Sequence, residues 1–367
     1  MTHHLVLSKT KSVGDADSDQ DELRQRLSTR AKSLSQNDIT ENFPNDEKHD
    51  LIDAVLEVPT KCVEQAKEVG KFVVDYLVDH SHLPYWLIDN EFLLSGHRPP
   101  MPSVKQCFAS IFRLHTETVN IWTHLVGTFI FVGMAIYFLT QPASEVHIEK
   151  KLIFGAFFLA AILCLLCSTL YHIFYCHSPK ISKFFGKLDY CGIAILIIGS
   201  VVPLLYYQFY CEFGTKIAYL SLIGLLGVTC IVISLWDRFA SSDYRVYRVL
   251  LFITLGIFGI IPTCHYVCRH GFEYAFTAGA TQYLLLVAAL YIIGAGLYAA
   301  RIPERLAPGL FDIWFQSHQL FHVFVVAAAC VHYYGICVLS HNQTSYFGDC
   351  RTYILSSSTG SLASLIN

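Results

Sequence analysis

Residues 152–175 read LIFGAFFLAAILCLLCSTLYHIFY, an apolar run that contains no Lys, Arg, Asp or Glu. Because a helix that crosses a bilayer needs about 20 predominantly apolar residues, this run predicts a membrane-spanning helix. Six further runs are similarly apolar and hold almost no charged residues in their interiors, namely 118–140, 188–210, 216–235, 246–268, 278–300 and 315–338. At 53% hydrophobic residues, the chain has more apolar content than a soluble protein needs. The sequence therefore predicts an all-α fold, a seven-transmembrane helix bundle.

The basic residues of the loops predict the orientation of this bundle, since cytoplasmic loops carry an excess of Lys and Arg. With the N-terminus inside, eleven basic residues lie on the cytoplasmic side and five on the opposite side. The first set is Arg98, Lys105, Arg113, Lys180, Lys183, Lys187, Arg238, Arg245, Arg248, Arg301 and Arg305; the second is Lys150, Lys151, Lys216, Arg269 and Arg351. We therefore expect a cytoplasmic N-terminus and an extracellular C-terminus. The sequon at 342–344 is compatible with an outside tail.

The segments outside the spans differ in composition. Residues 1–80, whose first fifty are rich in Ser, Asp, Gln and Lys, are expected to be a cytoplasmic, largely disordered or weakly helical region. Residues 81–117 form a predicted juxtamembrane segment, in which the amphipathic stretch 103–114 suits a helix in the cytoplasmic interface or an extension of the first span. The spans make a predicted domain at 118–340, followed by an extracellular tail at 341–367.

Three histidines lie near the ends of the spans. His172 closes the second span four residues after Ser168, and His318 and His322 open the seventh in an HxxxH pattern that places both on one helix face. An ionisable side chain at membrane depth is costly and marks a candidate functional site. In the predicted orientation all three lie at the cytoplasmic face, where Asp189 begins the third span. Three imidazoles indicate a zinc site with a fourth position left for water; histidines that are merely paired within the core are the alternative.

Five stretches carry a resemblance to a known family. They are GHRPPMPS (96–103), IFRLHTETVNIWTH (111–124), STLYHIF (168–174), LDYCGIA (188–194) and WFQSHQLFHVFVVAAACVHYYG (314–335). In order and spacing they resemble the adiponectin receptors of the progestin and adipoQ receptor family, over about residues 85–340. The resemblance implies an integral, seven-helix protein of the plasma membrane that regulates lipid and glucose metabolism. It implies an adiponectin-like extracellular protein ligand, a cytoplasmic adaptor at the N-terminal region, and the option of a homo-oligomer.

The resemblance also implies roles for five residues. It makes His172, His318 and His322 the ligands of Zn²⁺, Asp189 the residue that holds the zinc-bound water, and Ser168 the serine beside the site. Ceramide or another acyl lipid is the implied substrate, with membrane lipid as the surroundings. We expect no nucleic acid partner.

The chemistry of these residue types suits hydrolysis of a lipid amide. Zinc with three neutral ligands lowers the pKa of bound water toward 7 and can polarise an amide carbonyl. Asp189 could accept the proton of that water as a general base, or merely cap the third helix. Ser168 could donate to the oxyanion of the tetrahedral intermediate, or instead fix the orientation of a histidine ligand.

Other interpretations are compatible with the sequence. The zinc could be a purely structural link between helix ends, in a hormone receptor that signals through cytoplasmic adaptors. Glu117, Asn120 and His124 form a polar stripe on the first helix, which hydrogen bonding between helices explains at least as well as a role in the site. An ion or metal transporter would need polar residues along a path through the membrane, whereas the strongest cluster lies at one face.

Cysteines and prolines add predictions about the helix ends and interiors. Pro203 and Pro262 lie inside spans and predict kinks in the third and fifth helices. Five cysteines are placed where a disulfide could form outside the cell, with their pairing left open: Cys211, Cys264, Cys268, Cys337 and Cys350.

The orientation can be tested with epitope tags. The basic-residue asymmetry predicts that a tag near residue 20 is reached by antibody only after cells are permeabilised, while a tag after residue 350 is reached on intact cells. Labelling of the N-terminal tag on intact cells would reverse the orientation.

Overall fold

Seven helices in the described part of the chain are long and apolar enough to cross a membrane, as the apolar runs predicted. In hydrocarbon the backbone polar groups have no water to bond, so a helix, which pairs them within one segment, is the favoured structure. The first to seventh spans are Thr118–Thr140, Ile148–Phe174, Pro179–Gln208, Phe213–Ser234, Arg245–His270, Thr281–Ala300 and Ser317–Phe347. The chain is therefore an integral membrane protein built from helices.

The structure, a computed structural model, describes residues 77–240, 242–348 and 350. The expected disordered or weakly helical region falls almost wholly outside the described residues, as does most of the expected extracellular tail. The only β-pairing among the described residues is an isolated bridge between Val78 and His97.

Two spans extend well beyond their apolar runs. The third begins at Pro179, directly after Ser178, because proline fits the first helical position, where its missing N–H has no helical partner. Its first turns carry lysines, so a search for apolar runs leaves these turns out of the predicted span. The seventh continues to Phe347 and ends where Gly348 takes a φ of 58°.

The two internal prolines have different effects. The fifth span consists of two helices, Arg245–Phe258 and Ile260–His270, that meet at Gly259. Pro262 has no N–H for the carbonyl of Phe258, and its ring crowds that carbonyl, so the helix breaks in the preceding turn. The third span, in contrast, is one uninterrupted helix through Pro203.

A short helix, Val104–Ser110, precedes the first span and is separate from it. The amphipathic stretch is thus not an extension of the first span; its place in the membrane interface stays a prediction. Arg98 fastens this region to the end of the second span, since its guanidinium donates to Ser110 Oγ (2.8 Å) and to the carbonyl of Ile173 (3.1 Å). It also donates to the carbonyl of His172, so Arg98 fixes the backbone at that histidine.

The second and third spans pack closely where glycines of the third span face the second. A Cβ atom on Gly199 would lie 2.2 Å from Ala160 Cβ, and one on Gly192 would lie 3.0 Å from the backbone of Cys164. Small residues at such a contact allow two backbones to approach. This contact sets the position of the second span's Ser168 relative to the third span.

A disulfide between Cys211 and Cys350 joins the end of the third span to the chain just beyond the seventh. Three of the other cysteines considered for pairing, Cys264, Cys268 and Cys337, are free. We call this end of the bundle the disulfide end, and the end that carries His172, His318 and His322 the histidine end.

The glycine contact predicts a packing effect. Gly199→Ala should destabilise the bundle by about 1–3 kcal/mol, the usual cost of overpacking, measured as a lowered thermal unfolding midpoint in detergent. Gly133→Ala is the control, because nothing lies within 4 Å of a Cβ there. Adding Ala160→Gly to the Gly199 variant should restore stability, and equal stability of the two single variants would contradict the close contact.

Candidate metal centre

Three imidazoles from two spans meet at the histidine end. The ligand atoms of His172, His318 and His322 all lie within 4.8 Å of one another. The three ring centroids are 4.8 to 4.9 Å apart, and each pair of rings is steeply inclined rather than stacked. His172 and His322 are buried, and His318 is half-buried. The described residues therefore contain a three-histidine cluster that could hold a metal ion.

Glu117 determines which nitrogen of His172 is free. His172 Nδ1 lies 2.6 Å from Glu117 Oε2, and because a carboxylate only accepts, Nδ1 must donate. This leaves Nε2, which is buried and has no protein partner. Burial alone raises the pKa of Glu117, but the hydrogen bond and charge interaction with His172, with smaller contributions from His318 and Asn120, outweigh it and hold the pKa below its usual range. Glu117 is thus a charged acceptor that orients the imidazole.

His322 is oriented in the same way by the first span. Its Nδ1 donates to the backbone carbonyl of Asn120 at 3.1 Å and lies 3.3 Å from Thr123 Oγ1. Its Nε2 is then the nitrogen available to a ligand. Backbone carbonyls and carboxylates are the usual partners of the second nitrogen of a metal-binding histidine. The arrangement therefore fits a metal ion held by neutral imidazoles.

The polar stripe of the first span consequently belongs to the histidine cluster. Two of its members form hydrogen bonds between helices: the Glu117 carboxylate accepts from His172, and the backbone carbonyl of Asn120 accepts from His322. The ring of His124 stacks on that of His322, with centroids 3.6 Å apart and planes 6° from parallel. The sequence signal for this role was the spacing of Glu117, Asn120 and His124, which places all three on one helix face near the depth of the histidines.

Asp189 and Ser168 are both buried beside the cluster. Asp189 lies near enough to Ser168 and His172 to interact electrostatically with both. Because the third helix begins at Pro179, Asp189 lies well inside it and cannot cap its N-terminus, so that alternative is wrong. The Ser168 hydroxyl is buried and lies next to Asp189.

A cavity of about 260 Å³, called the chamber below, extends from the cluster into the bundle. His318, His322, Asp189 and Ser168 line one end and His332 the other. The fourteen positions from His318 to His332 correspond to about 21 Å along a helix. Between these ends the wall is mainly apolar and includes Leu196, Leu204, Val287, Tyr291 and Val325.

His332 does not join the cluster. Its Nε2 is 2.9 Å from the carbonyl of Ser200, and its ring packs on Phe157. Cys164 and Cys167 form a CxxC motif in the second span; both are free, and Cys164 belongs to the apolar core.

The juxtamembrane segment closes the histidine end. Asp312, in the loop before the seventh span, accepts hydrogen bonds from the backbone N–H groups of Leu94 (2.9 Å) and Ser95 (2.8 Å). Glu304 accepts from Asn90 Nδ2 at 3.0 Å and from the backbone N–H of Ser317 at 2.7 Å. A small cavity of about 30 Å³ lies between this segment and the cluster. No pattern in the sequence predicted this cover.

Comparison with known proteins agrees with this architecture. A family model described as haemolysin-III related matches residues 112–333, which include all five candidate site residues. The chain belongs to the haemolysin-III-related family. It is 49% identical over 288 residues to the Adiponectin receptor protein of Drosophila melanogaster, covering 78% of this chain and 65% of that protein. This confirms the resemblance to the adiponectin receptors.

Two further relatives extend the comparison. The Progestin and adipoQ receptor-like protein 1 of Caenorhabditis elegans is 49% identical over 286 residues, 77% of this chain and 66% of that protein. Heptahelical transmembrane protein 1 of Arabidopsis thaliana is 35% identical over 271 residues, 70% of this chain and 79% of that protein. The matched region spans slightly less than two thirds of the length of the two animal relatives.

The bond between Glu117 and His172 predicts a change in metal affinity. Glu117→Gln should weaken binding of a divalent transition metal by about 10–100-fold, the usual effect of losing the partner of a ligating histidine. Titration with Co²⁺, followed by its visible absorption, measures this. Glu149→Gln, at the disulfide end and bonded to Tyr206, is the matched control. Equal affinity in the two variants would show that Glu117 does not support a metal site.

Proposed function

We propose that the chain is an adiponectin-receptor-like membrane receptor that binds Zn²⁺ through His172, His318 and His322 and hydrolyses a lipid amide such as ceramide. One observation carries the proposal: three converging imidazoles lie at one end of a long apolar chamber, together with a carboxylate and a hydroxyl. The free nitrogen of His172 and the engaged Nδ1 atoms of His172 and His322 suit a metal with neutral ligands. When bound, zinc supplies Lewis acidity, which activates water and polarises a carbonyl.

The side chains at this end have separate roles in the reaction. Asp189 accepts the proton of the attacking water and delivers it to the departing amine, which is general acid–base catalysis. The Ser168 hydroxyl, which lies beside Asp189, donates a hydrogen bond to the carbonyl oxygen as negative charge develops there. Glu117 holds His172 in the required tautomer.

The chamber supports an acyl lipid as the substrate. Most of its wall is apolar, and the two histidines at its ends lie about 21 Å apart along the seventh helix, which suits a long hydrocarbon chain. An acyl chain lying along it places its linkage at the end where the histidines, Asp189 and Ser168 converge. Burial of the linkage also excludes bulk water, which strengthens electrostatic interactions there.

The orientation, domain division and partners are part of the proposal. The disulfide between Cys211 and Cys350 supports an extracellular disulfide end, since disulfides persist in oxidising compartments, and the histidine end is then cytoplasmic. We propose a plasma-membrane receptor whose outer face binds an adiponectin-like protein, as the name of the Drosophila relative suggests. Residues 1–80 would bind an adaptor, 81–117 would form the juxtamembrane segment, 118–340 the zinc-binding domain and 341–367 the extracellular tail. Signalling would regulate lipid and glucose metabolism.

The rival function is a hormone receptor in which zinc only links helix ends. It is favoured by the bonds that tie the first span to His172 and His322, because the same bonds would strengthen a structural link. The two functions differ in what they require of Asp189, which is not among the clustered ligands.

Asp189→Asn should keep most of the bound Zn²⁺ and the thermal stability while reducing ceramide hydrolysis by about 10²-fold or more, because a general base is lost. Hydrolysis by the purified protein and zinc content by elemental analysis are measured on the same samples. Asp237→Asn is the matched control, since that carboxylate is exposed and pairs with Lys187.

Two further results decide between the functions. His322→Ala should lose both zinc and hydrolysis. A wild-type protein that holds one zinc per chain yet hydrolyses no acyl amide would leave the receptor with a structural zinc as the better account.

A further inference from the structure

A fourth histidine beside the cluster, His124 on the first span, is left without a hydrogen-bond partner. The residue is 4% exposed, and both Nδ1 and Nε2 are buried and unpaired. The backbone of His322 lies nearby but outside hydrogen-bond geometry. A neutral imidazole has one N–H donor and one acceptor nitrogen. Leaving both unpaired in a buried site is costly, so this position suits a ligand that brings its own polar group.

The geometry excludes His124 as a fourth ligand of the same ion. Its ring lies parallel to that of His322 at a centroid distance of 3.6 Å, so its nitrogens lie in a separate plane. It is also absent from the group of converging ligand atoms. His124 nevertheless lines the chamber, at the end where Ser168, Asp189 and His322 are found.

We propose that His124 binds the polar headgroup of the lipid in the chamber and selects lipid amides that carry a hydroxyl beside the amide. This inference rests on the proposed function, because it assigns the headgroup to the end where the amide is cleaved. A hydroxyl both donates and accepts, and so pairs with an imidazole in either tautomer. A plain N-alkyl amide would occupy the same space while leaving His124 unpaired. Sites built to bond a hydroxyl discriminate strongly against analogues that lack it.

The competing role for His124 is packing alone. A ring stacked on a ligand histidine stiffens it without contacting any substrate. Phenylalanine preserves a planar ring but has no nitrogen, whereas glutamine keeps a donor and an acceptor but has no ring. Comparing these two substitutions therefore separates hydrogen bonding from stacking.

The test uses the purified full chain and two probes, a long-chain ceramide and a plain N-alkyl amide of the same fatty acid. Binding is measured at equilibrium by displacement of a fluorescent acyl lipid, with zinc content determined in each sample. Wild-type protein should bind the ceramide at least tenfold more tightly than the plain amide. His124→Phe should lose this preference but keep its zinc and its affinity for the plain amide. His124→Gln should retain part of the preference.

Unchanged preference in His124→Phe would overturn the proposal and leave stacking as the role. If His124→Phe fails to fold or loses zinc, His124→Gln is compared with His124→Ala. A preference retained in Gln and lost in Ala supports the proposal, and equal preference in both overturns it. Binding with this preference but without hydrolysis would refute the hydrolase and not the role of His124. Hydrolysis of both probes with equal affinity would refute only the role of His124.

Discussion

A polar group at membrane depth must find its partner inside the protein, because hydrocarbon offers none. At the histidine end this constraint joins three spans: Glu117 accepts from His172, and the carbonyl of Asn120 accepts from His322. The same two bonds leave one nitrogen of each imidazole free for a ligand. Helix packing and the capacity to bind a metal therefore depend on the same contacts, and a change in the angle of the first span would disturb both.

The sequence predicted the number of spans and most of their extents, because apolar runs reflect the thickness of the bilayer. It missed the start of the third span, where a helix begins at Pro179 among lysines that suit the interface rather than the hydrocarbon. That boundary decides whether Asp189 can cap the helix, because a cap must lie at the first turn. A Pro directly after Ser was the better start signal.

The three clustered histidines were also predictable, since HxxxH fixes two on one face and topology brings the third to the same depth. The hydrogen bonds of Glu117 were not predictable, because packing against neighbouring helices decides which way a helix face points, and residue spacing within the helix does not. The packing of the juxtamembrane segment over the histidine end could not be predicted from the sequence either. Asp312 bonds Leu94 across 218 positions of sequence, and no local pattern in either segment marks such a contact.

The disulfide has a consequence for the connectivity of the chain. Cys211 and Cys350 enclose the fourth to seventh spans within a covalent ring. A protease that cuts any one loop inside that ring opens it without releasing a fragment. A nicked molecule would keep its mass on a non-reducing gel and separate into two pieces only when a thiol is added. Integrity judged without reduction would therefore overlook such damage in this half of the protein.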